Sequence, residues 1–281
     1  MTPRFSPALP LGLLLLMTAS GALAAGPYDC LLEPTQTVEV GSPVVGLLDK
    51  VLVRRGDQVT RGQVVATLES RAETATAALA HYKSNMAAPT RAAENKIEFA
   101  KKKFQRRRDM TAQNFMSGQE RDEAESEMKL AESELQLAKE NKEMAKLEWQ
   151  QQSSQLNLRT IRSPFNGVVV SQLVYPGEIV EPGGQKKAIL KLAQLDPLRV
   201  HVILPIAAFS KVKPGLNVDV MPEAPVGGRY VGKVKTVDKV IDAASGTFAV
   251  FLEIPNPKLE LPAGLKCRAQ FPIDINRPLK R

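Results

Sequence analysis

The sequence predicts a mixed fold, mainly β, with a long inserted α-helical coiled-coil hairpin. The hairpin interrupts a small β-domain, and a small β-barrel follows. Three observations predict this. A segment punctuated by Pro and Gly, Val40–Ser70, recurs as Ile161–Ala193. Between the copies lies Arg71–Arg159, rich in Ala, Glu, Gln, Lys and Arg, all good helix formers. After the second copy come short alternating segments separated by turn signals, the pattern of a small barrel.

The repeat runs at a constant offset of 121 residues. Ser42-Pro43 returns as Ser163-Pro164, Gly46 as Gly167, Gly56 as Gly177, Val59 as Val180 and Gly62 as Gly183. Asp57 is matched by Glu178, and Leu47-Leu48 by Val168-Val169. An insertion after Gly183 then sets Val64-Val65 and Leu68 over Ala188-Ile189 and Leu192. Pro and Gly at these places mark turns between short strands. The half-motif resembles the lipoyl/biotinyl domain, a β-sandwich of two quasi-symmetric halves. That resemblance implies a lipoyl-like β-sandwich assembled from residues 38–70 and 160–194. Carrier members of that family bear a modified Lys on the hairpin joining the halves. Here the first half ends at Glu69-Ser70 and no Lys lies between Glu69 and Lys83. The scaffold is therefore expected without the swinging arm and without a cofactor, and an enzymatic carrier role is disfavoured.

Residues 1–24 read as a secretory signal: Arg4 is basic, Leu11–Met17 is a short apolar run, and Ala22-Leu23-Ala24 is an A-x-A cleavage site. The apolar run is too short to read as a membrane span. The 281 residues carry a net charge of +8 and are 43% hydrophobic, enough for real cores. A basic cytosolic chain would suggest nucleic acid. The export signal argues against that partner and for anionic headgroups or acidic proteins. The only cysteines, Cys30 and Cys267, stand near opposite ends of the exported chain. In an oxidising compartment the pair suggests a disulfide. A metal site is the alternative, weakened because His81 and His201 show no ligand spacing with either Cys.

The insert, 71–159, is expected as two helices of about forty residues, each roughly 60 Å long at 1.5 Å per residue. In the first, apolar residues recur at Leu79, Tyr82 and Met86, then at Ala93, Ile97, Ala100 and Phe104. Pro89 should kink that helix or break its register. Asn114–Gly118 is the turn, and Ser117 with Glu120 makes a capping box. The second helix carries a seam at Ala124, Met128, Ala131, Leu135, Ala138, Lys142, Ala145, Trp149, Gln152 and Leu156, alternating steps of four and three. The hairpin's charge runs, Lys101–Lys103, Arg106–Arg108 and the cluster Glu120, Asp122, Glu123 and Glu125, read first as solvated faces.

Leu195–Leu198 reads as a linker to the barrel, 195–265. Its strands are expected at Arg199–Leu204, Asn217–Met221, Tyr230–Val237, Thr247–Ile254 and Lys266–Ile273, with a short helix over Pro205–Lys211. Residues 25–37 are expected to pack near the carboxyl-terminal part, 266–281, as a reduced membrane-proximal segment.

This order of parts resembles the periplasmic adaptor proteins of tripartite efflux and secretion systems, the membrane fusion or hemolysin-D-like family. The resemblance covers essentially the whole exported chain. In efflux members the hairpin tip carries an Arg-x3-Leu-x6-Ser pattern that docks onto an outer-membrane tunnel protein. Arg106, Met110 and Ser117 stand at that spacing, with Met in the Leu place, and Asp122 and Ala124 continue the likeness. The resemblance implies a non-enzymatic adaptor in the periplasm, peripherally associated with the inner membrane. It implies an inner-membrane transporter of resistance-nodulation-division type as one partner, an ATP-driven exporter being the alternative. It also implies an outer-membrane tunnel and self-association into a ring of six. The barrel-family likeness rests on Asp242-x-x-Ser245-Gly246-Thr247 and Leu261–Leu265. No nucleophile–base pair or phosphate loop stands out. Met86, Met110, Met116, Met128, Met144 and Met221 are spread singly and read as packing or tip residues rather than ligands for a soft metal.

Overall fold

The computed structural model describes residues 27–183 and 188–272. The expected signal segment and residues 273–281 lie outside the described residues. Thr35–Asp196 form one compact unit; Pro197 onward, with the chain up to Pro34, forms a second.

In the first unit the repeat becomes a two-fold pattern of strands. The first half supplies the end of β1 (Tyr28–Val40), β2 (Gly46–Val51), β3 (Gln58–Val59) and β4 (Val64–Leu68). The second supplies β5 (Thr160–Arg162), β6 (Gly167–Gln172), β7 (Ile179–Val180) and the start of β8 (Leu190–Pro205). One sheet runs β5-β4-β2-β7; the other runs β3-β6-β8, with β1 also paired to β8. Exchanging equivalent strands of the two halves turns one order into the other. The short strands cross over: Gly46 pairs with Val180 and Val59 with Gly167, positions related by the offset. The backbone bonds are reciprocal as well. Gly56 N–H donates to Val169 O (2.9 Å) and Gly177 N–H to Leu48 O (2.8 Å). Leu48 N–H donates to Glu178 O (2.9 Å) and Val169 N–H to Asp57 O (3.0 Å). Each half therefore completes the other, and neither has a closed core alone. Leu48, Leu68, Val169, Val180, Ile189 and Leu192 form the shared interior.

The repeated residues hold equivalent turns. Ser42 Oγ donates to Val44 O (2.6 Å) and Ser163 Oγ to Phe165 O (2.7 Å), closing the same local turn. The Asp57 carboxylate accepts from Arg54 N–H (2.7 Å), and Glu178 accepts from Tyr175 N–H (2.9 Å). Gly56 and Gly177 have φ of 91° and 92°, a left-handed conformation that costs other residues energy. Gly46 and Gly167 differ. A Cβ on Gly167 would collide with the backbone carbonyl of Ala193, whereas on Gly46 it would meet the side-chain ends of Arg159 and Leu68. Gly167→Ala is thus expected to destabilise the sandwich by about 1–3 kcal/mol, and Gly46→Ala by less. Thermal denaturation of the two variants checks the order.

The hairpin differs from expectation in its first arm. α1 (Arg71–Ser84) ends before α2 (Ala88–Ala112), and α3 (Gly118–Asn157) is the unbroken second arm. Of the two effects expected of Pro89, the break of register occurs and the kink does not: Pro89 belongs to a second helix, not to a continuation of the first. It occupies the first turn of that helix, where its missing N–H has no intrahelical partner to lose. The seam explains the break. α1 buries Ala77, Ala80 and Ser84, not Leu79 (57% exposed) or Tyr82 (70% exposed). α2 buries Ile97 and Ala100, with Ala93 and Phe104 half-buried. Ala80 to Ala93, and Ser84 to Ile97, are one residue short of two heptads. A continuous helix would rotate the seam by about 100° there; residues 85–87 absorb the slip. The α3 seam agrees with the heptad reading at Ala124, Met128, Ala131 and Leu135. Trp149 is 39% exposed and packs at a tilt against His81, ring centroids 4.8 Å apart and planes at 52°. At the base, Arg159 pairs with Glu73 and donates to Val45 O (3.1 Å), which ties the hairpin to the sandwich.

In the second unit β9 (Asn217–Pro222), β10 (Tyr230–Val237), β11 (Thr247–Ile254) and β12 (Lys266–Gln270) join the end of β8 and the start of β1. The order is β1-β12-β9-β10-β11-β8. Strict alternation on β11 buries Phe248, Val250, Leu252 and Ile254, which face Leu198, Val200, Val202 and Leu204 of β8. The expected linker Leu195–Leu198 is strand throughout, because Pro197 accommodates extended backbone. The expected helix over Pro205–Lys211 is a single 3₁₀ turn, Ile206–Ala208. β12, expected within a separate terminal segment, belongs to this sheet and pairs with β9 and β1. Cys30 and Cys267 are directly opposed in the β1–β12 ladder and are joined as a disulfide.

Candidate functional site at the hairpin tip

The tip is built by local sequence chemistry and then fixed by contacts between the arms. α2 ends at Ala112, and Asn114 takes φ 60°, a left-handed conformation Asn tolerates. Phe115 N–H donates to Met110 O (2.9 Å), closing the turn. Ser117 is the N-cap of α3. Its Oγ accepts from Glu120 N–H (3.3 Å), and the Glu120 carboxylate accepts from Ser117 N–H (3.3 Å).

Across the arms, Arg107 Nη1 donates to the Glu120 carboxylate (3.1 Å) and lies 3.3 Å from Met116 Sδ. Farther down, Lys103 pairs with Glu127, Lys101 with Glu132 (3.4 Å), Lys96 with Glu134 (2.6 Å) and Lys83 with Glu148 (3.7 Å). All the cations lie on the first arm and all the carboxylates on the second. These pairs are partly exposed, so each contributes little stability. Together they draw the arms toward one another along the length of the rod. The charge runs are therefore only in part solvated faces: Lys101, Lys103, Arg107 and Glu120 face the opposite arm.

This sorts the three arginines. Arg107 is spent on the turn and Arg108 lies beside Asp109 (3.8 Å). Arg106 is exposed, its Nε donating only to Lys102 O of its own helix (3.3 Å). Met110, one turn on, is 43% exposed. Arg106 and Met110 share a shallow groove with Phe99, Lys103, Arg107 and Met116. Phe115, at the apex, is 75% exposed; the sequence reading placed it in the turn without a role. Its signal was an aromatic in a polar turn with no partner at seam spacing. Ser117 is held by its capping bonds, so it shapes the tip as well as standing in it.

Bonds from Ser117 N–H and Oγ, with the Arg107 charge, hold the Glu120 carboxyl below the usual carboxylate range. A lowered native value stabilises the fold above the unfolded value, about 4.3 for Glu, and that stabilisation is lost as pH falls through the native value. Acidification below pH ~4 is expected to fray the tip, with no matching change toward alkaline pH. Amide exchange and chemical shifts of residues 117–120 follow it.

Residues 36–194, the whole two-fold sandwich with its inserted hairpin, match the family described as CzcB-like, barrel-sandwich hybrid domain. The chain belongs to that family. Among curated relatives, this barrel-sandwich chain is 29% identical over 208 residues to the pyoverdine export membrane fusion protein PvdR of Pseudomonas aeruginosa, covering 73% of this chain and 53% of PvdR. It is 25% identical over 231 residues to the macrolide export protein MacA of Yersinia pestis, covering 80% of this chain and 62% of MacA. The chain thus spans between 53% and 62% of the length of these relatives. The crystal structure of MacA from Actinobacillus actinomycetemcomitans superposes with a TM-score of 0.71 at 23% identity, covering 87% of this chain and 78% of that one, and shares the fold. Among the described residues no helix of this barrel-sandwich chain is long and apolar enough to cross a membrane, and no cluster of three or more metal-ligating side chains occurs.

Proposed function

We propose that the chain is a periplasmic adaptor of a tripartite efflux system. It links an inner-membrane exporter, contacted through the barrel, to an outer-membrane tunnel protein, contacted through the hairpin tip. The observation that carries the reading is the tip itself. A capped turn and cross-arm ion pairs hold Arg106 and Met110 of α2, and Phe115 of the turn, exposed at the end of the hairpin; its unbroken arm, the 40-residue α3, makes about 60 Å of rod at 1.5 Å per residue. A two-stranded rod of that length buries only one seam, so its end is suited to reaching a partner. The names of PvdR and MacA, both export proteins, support the same class. The chain acts without catalysis: copies, six in the expected ring, surround the conduit, and the packed arms couple exporter movement to tunnel opening. A lipoyl-type carrier is disfavoured because β4 runs from Leu68 through two residues into α1 with no Lys at the junction.

Site-specific photo-cross-linkers at Phe115 and near Gly246, used in whole cells, test this. Capture of an outer-membrane protein by the first and an inner-membrane transporter by the second is expected. Failure of both to capture a membrane protein would remove the adaptor reading.

A further inference from the structure

The two halves of the sandwich occupy equivalent places in the fold. A difference between positions related by the offset is therefore not dictated by the fold itself. On the surface the halves differ in one systematic way. The turns flanking β3 carry Arg54, Arg55 and Arg61, and Arg162 follows on β5; all four are exposed. Their mates are Tyr175, Pro176, Pro182 and Gly41. Conversely, exposed Leu47 and Ile179 are neighbours across β2 and β7; exposed Glu181 follows Ile179 by two residues, and exposed Glu39 stands at the end of β1. Their mates are Val168, Gln58, Thr160 and Thr60.

These two surfaces face opposite ways. The turn after β3 lies against β5: Gly62 N–H donates to Ser163 O (2.8 Å) and Ser163 N–H to Gln63 O (2.9 Å). The turn after β7 lies against the end of β1, where Glu39, Gly41, Pro43, Pro182 and Gly183 share a groove. β1 and β3 are opposite margins of one sheet. One margin of the sandwich is thus arginine-rich. The other side carries exposed apolar Leu47, Tyr175 and Ile179 (44%, 60% and 58% exposed), called the Tyr175 shelf, with exposed Glu39 and Glu181 on the same side. Lys186 and Lys187 fall outside the described residues, and the shelf is defined without them.

We propose that the arginine margin of one copy docks on the Tyr175 shelf of the next. This rests on the self-association in the proposed function and assigns its faces. Guanidinium groups suit such a shelf because they stack on an aromatic face while pairing with carboxylates. Two unlike, complementary faces on one chain make a head-to-tail contact, which closes into a ring when the rotation closes.

Two double charge reversals test it on the full chain: R54E/R61E on one margin and E39R/E181R on the other. Juxtaposed like charges cost several kcal/mol, so each variant alone is expected to assemble about a hundredfold more weakly, as read by sedimentation velocity. Circular dichroism of each variant checks folding. Mixing the two variants restores assembly, because each margin then meets an opposite charge on the other variant. Assembly of either variant at the wild-type concentration would overturn the face assignment and leave the ring standing. Loss of assembly in each variant with no recovery on mixing would also overturn it. A wild-type chain that stays monomeric at every concentration and is not cross-linked in cells would remove the ring itself.

Discussion

Reversing the charge at Arg106 is expected to abolish capture of the outer-membrane tunnel by the hairpin tip while leaving the hairpin folded. Arg106 lies on the exposed side of α2 and makes only an i to i−4 bond to its own backbone. Its loss costs the hairpin little, unlike loss of Arg107, which joins the arms through Glu120. At an interface a desolvated Arg is a frequent hot spot, and Arg106→Glu adds repulsion to the lost contact, so a fall of about a hundredfold or more in affinity is expected. Arg107→Glu serves as the contrast: it should loosen the turn, visible as tip amide exchange, before it says anything about docking. Binding of the purified adaptor to a reconstituted tunnel, with helicity monitored in parallel, separates the two. Unchanged binding by Arg106→Glu would transfer the docking role to other tip residues, Phe115 first.

The second large effect is expected in the barrel. The Cys30–Cys267 bond closes a loop with a sequence separation of 237 residues. Loop-closure entropy of that size corresponds to roughly 5 kcal/mol, with measured losses for native disulfides commonly about 2–5 kcal/mol. Cys30→Ser with Cys267→Ser, or reduction under mild denaturant, should lower the stability of the barrel markedly. Both residues are buried, so part of the loss reflects packing. Free-thiol titration of the denatured, unreduced protein should find no thiol, and the melting temperature of the double variant measures the effect. The Thr35–Asp196 unit contains neither cysteine and should melt nearly as before.

Several parts of this architecture are legible because they are local. The 121-residue offset marks turns of the sandwich, since Ser42 and Ser163, Gly56 and Gly177, and Asp57 and Glu178 perform the same backbone tasks in both halves. The α3 seam is legible because Met128, Leu135 and Leu156 keep a steady heptad phase. The α1 seam is not. There the arms meet through Ala77, Ala80 and Ser84, and in a close contact small side chains win over large ones, so hydrophobicity points to Leu79 and Tyr82 and is misleading. The α1–α2 break is half legible: Pro89 announces it, but its place follows from the one-residue slip between seams, which becomes visible only when the buried residues are known. The tip pattern places Arg106, Met110 and Ser117 but cannot distinguish one arginine in a run of three.

By itself, then, the sequence determined the capped turn at Ser117, the helical insert, the duplicated half-sandwich and the absence of a modifiable Lys at the junction. Each rests on residues close in the chain, or on a repeat whose meaning is local. Only the tertiary structure decided that the halves exchange β3 and β7, that Arg107 rather than Arg106 is spent on the turn, and that the two margins of the sandwich carry unlike surfaces. The physical reason is common to all three. They depend on which residues meet once the chain has folded back, not on neighbours in sequence: strand pairing between the halves decides the first and third, and contact between the arms decides the second.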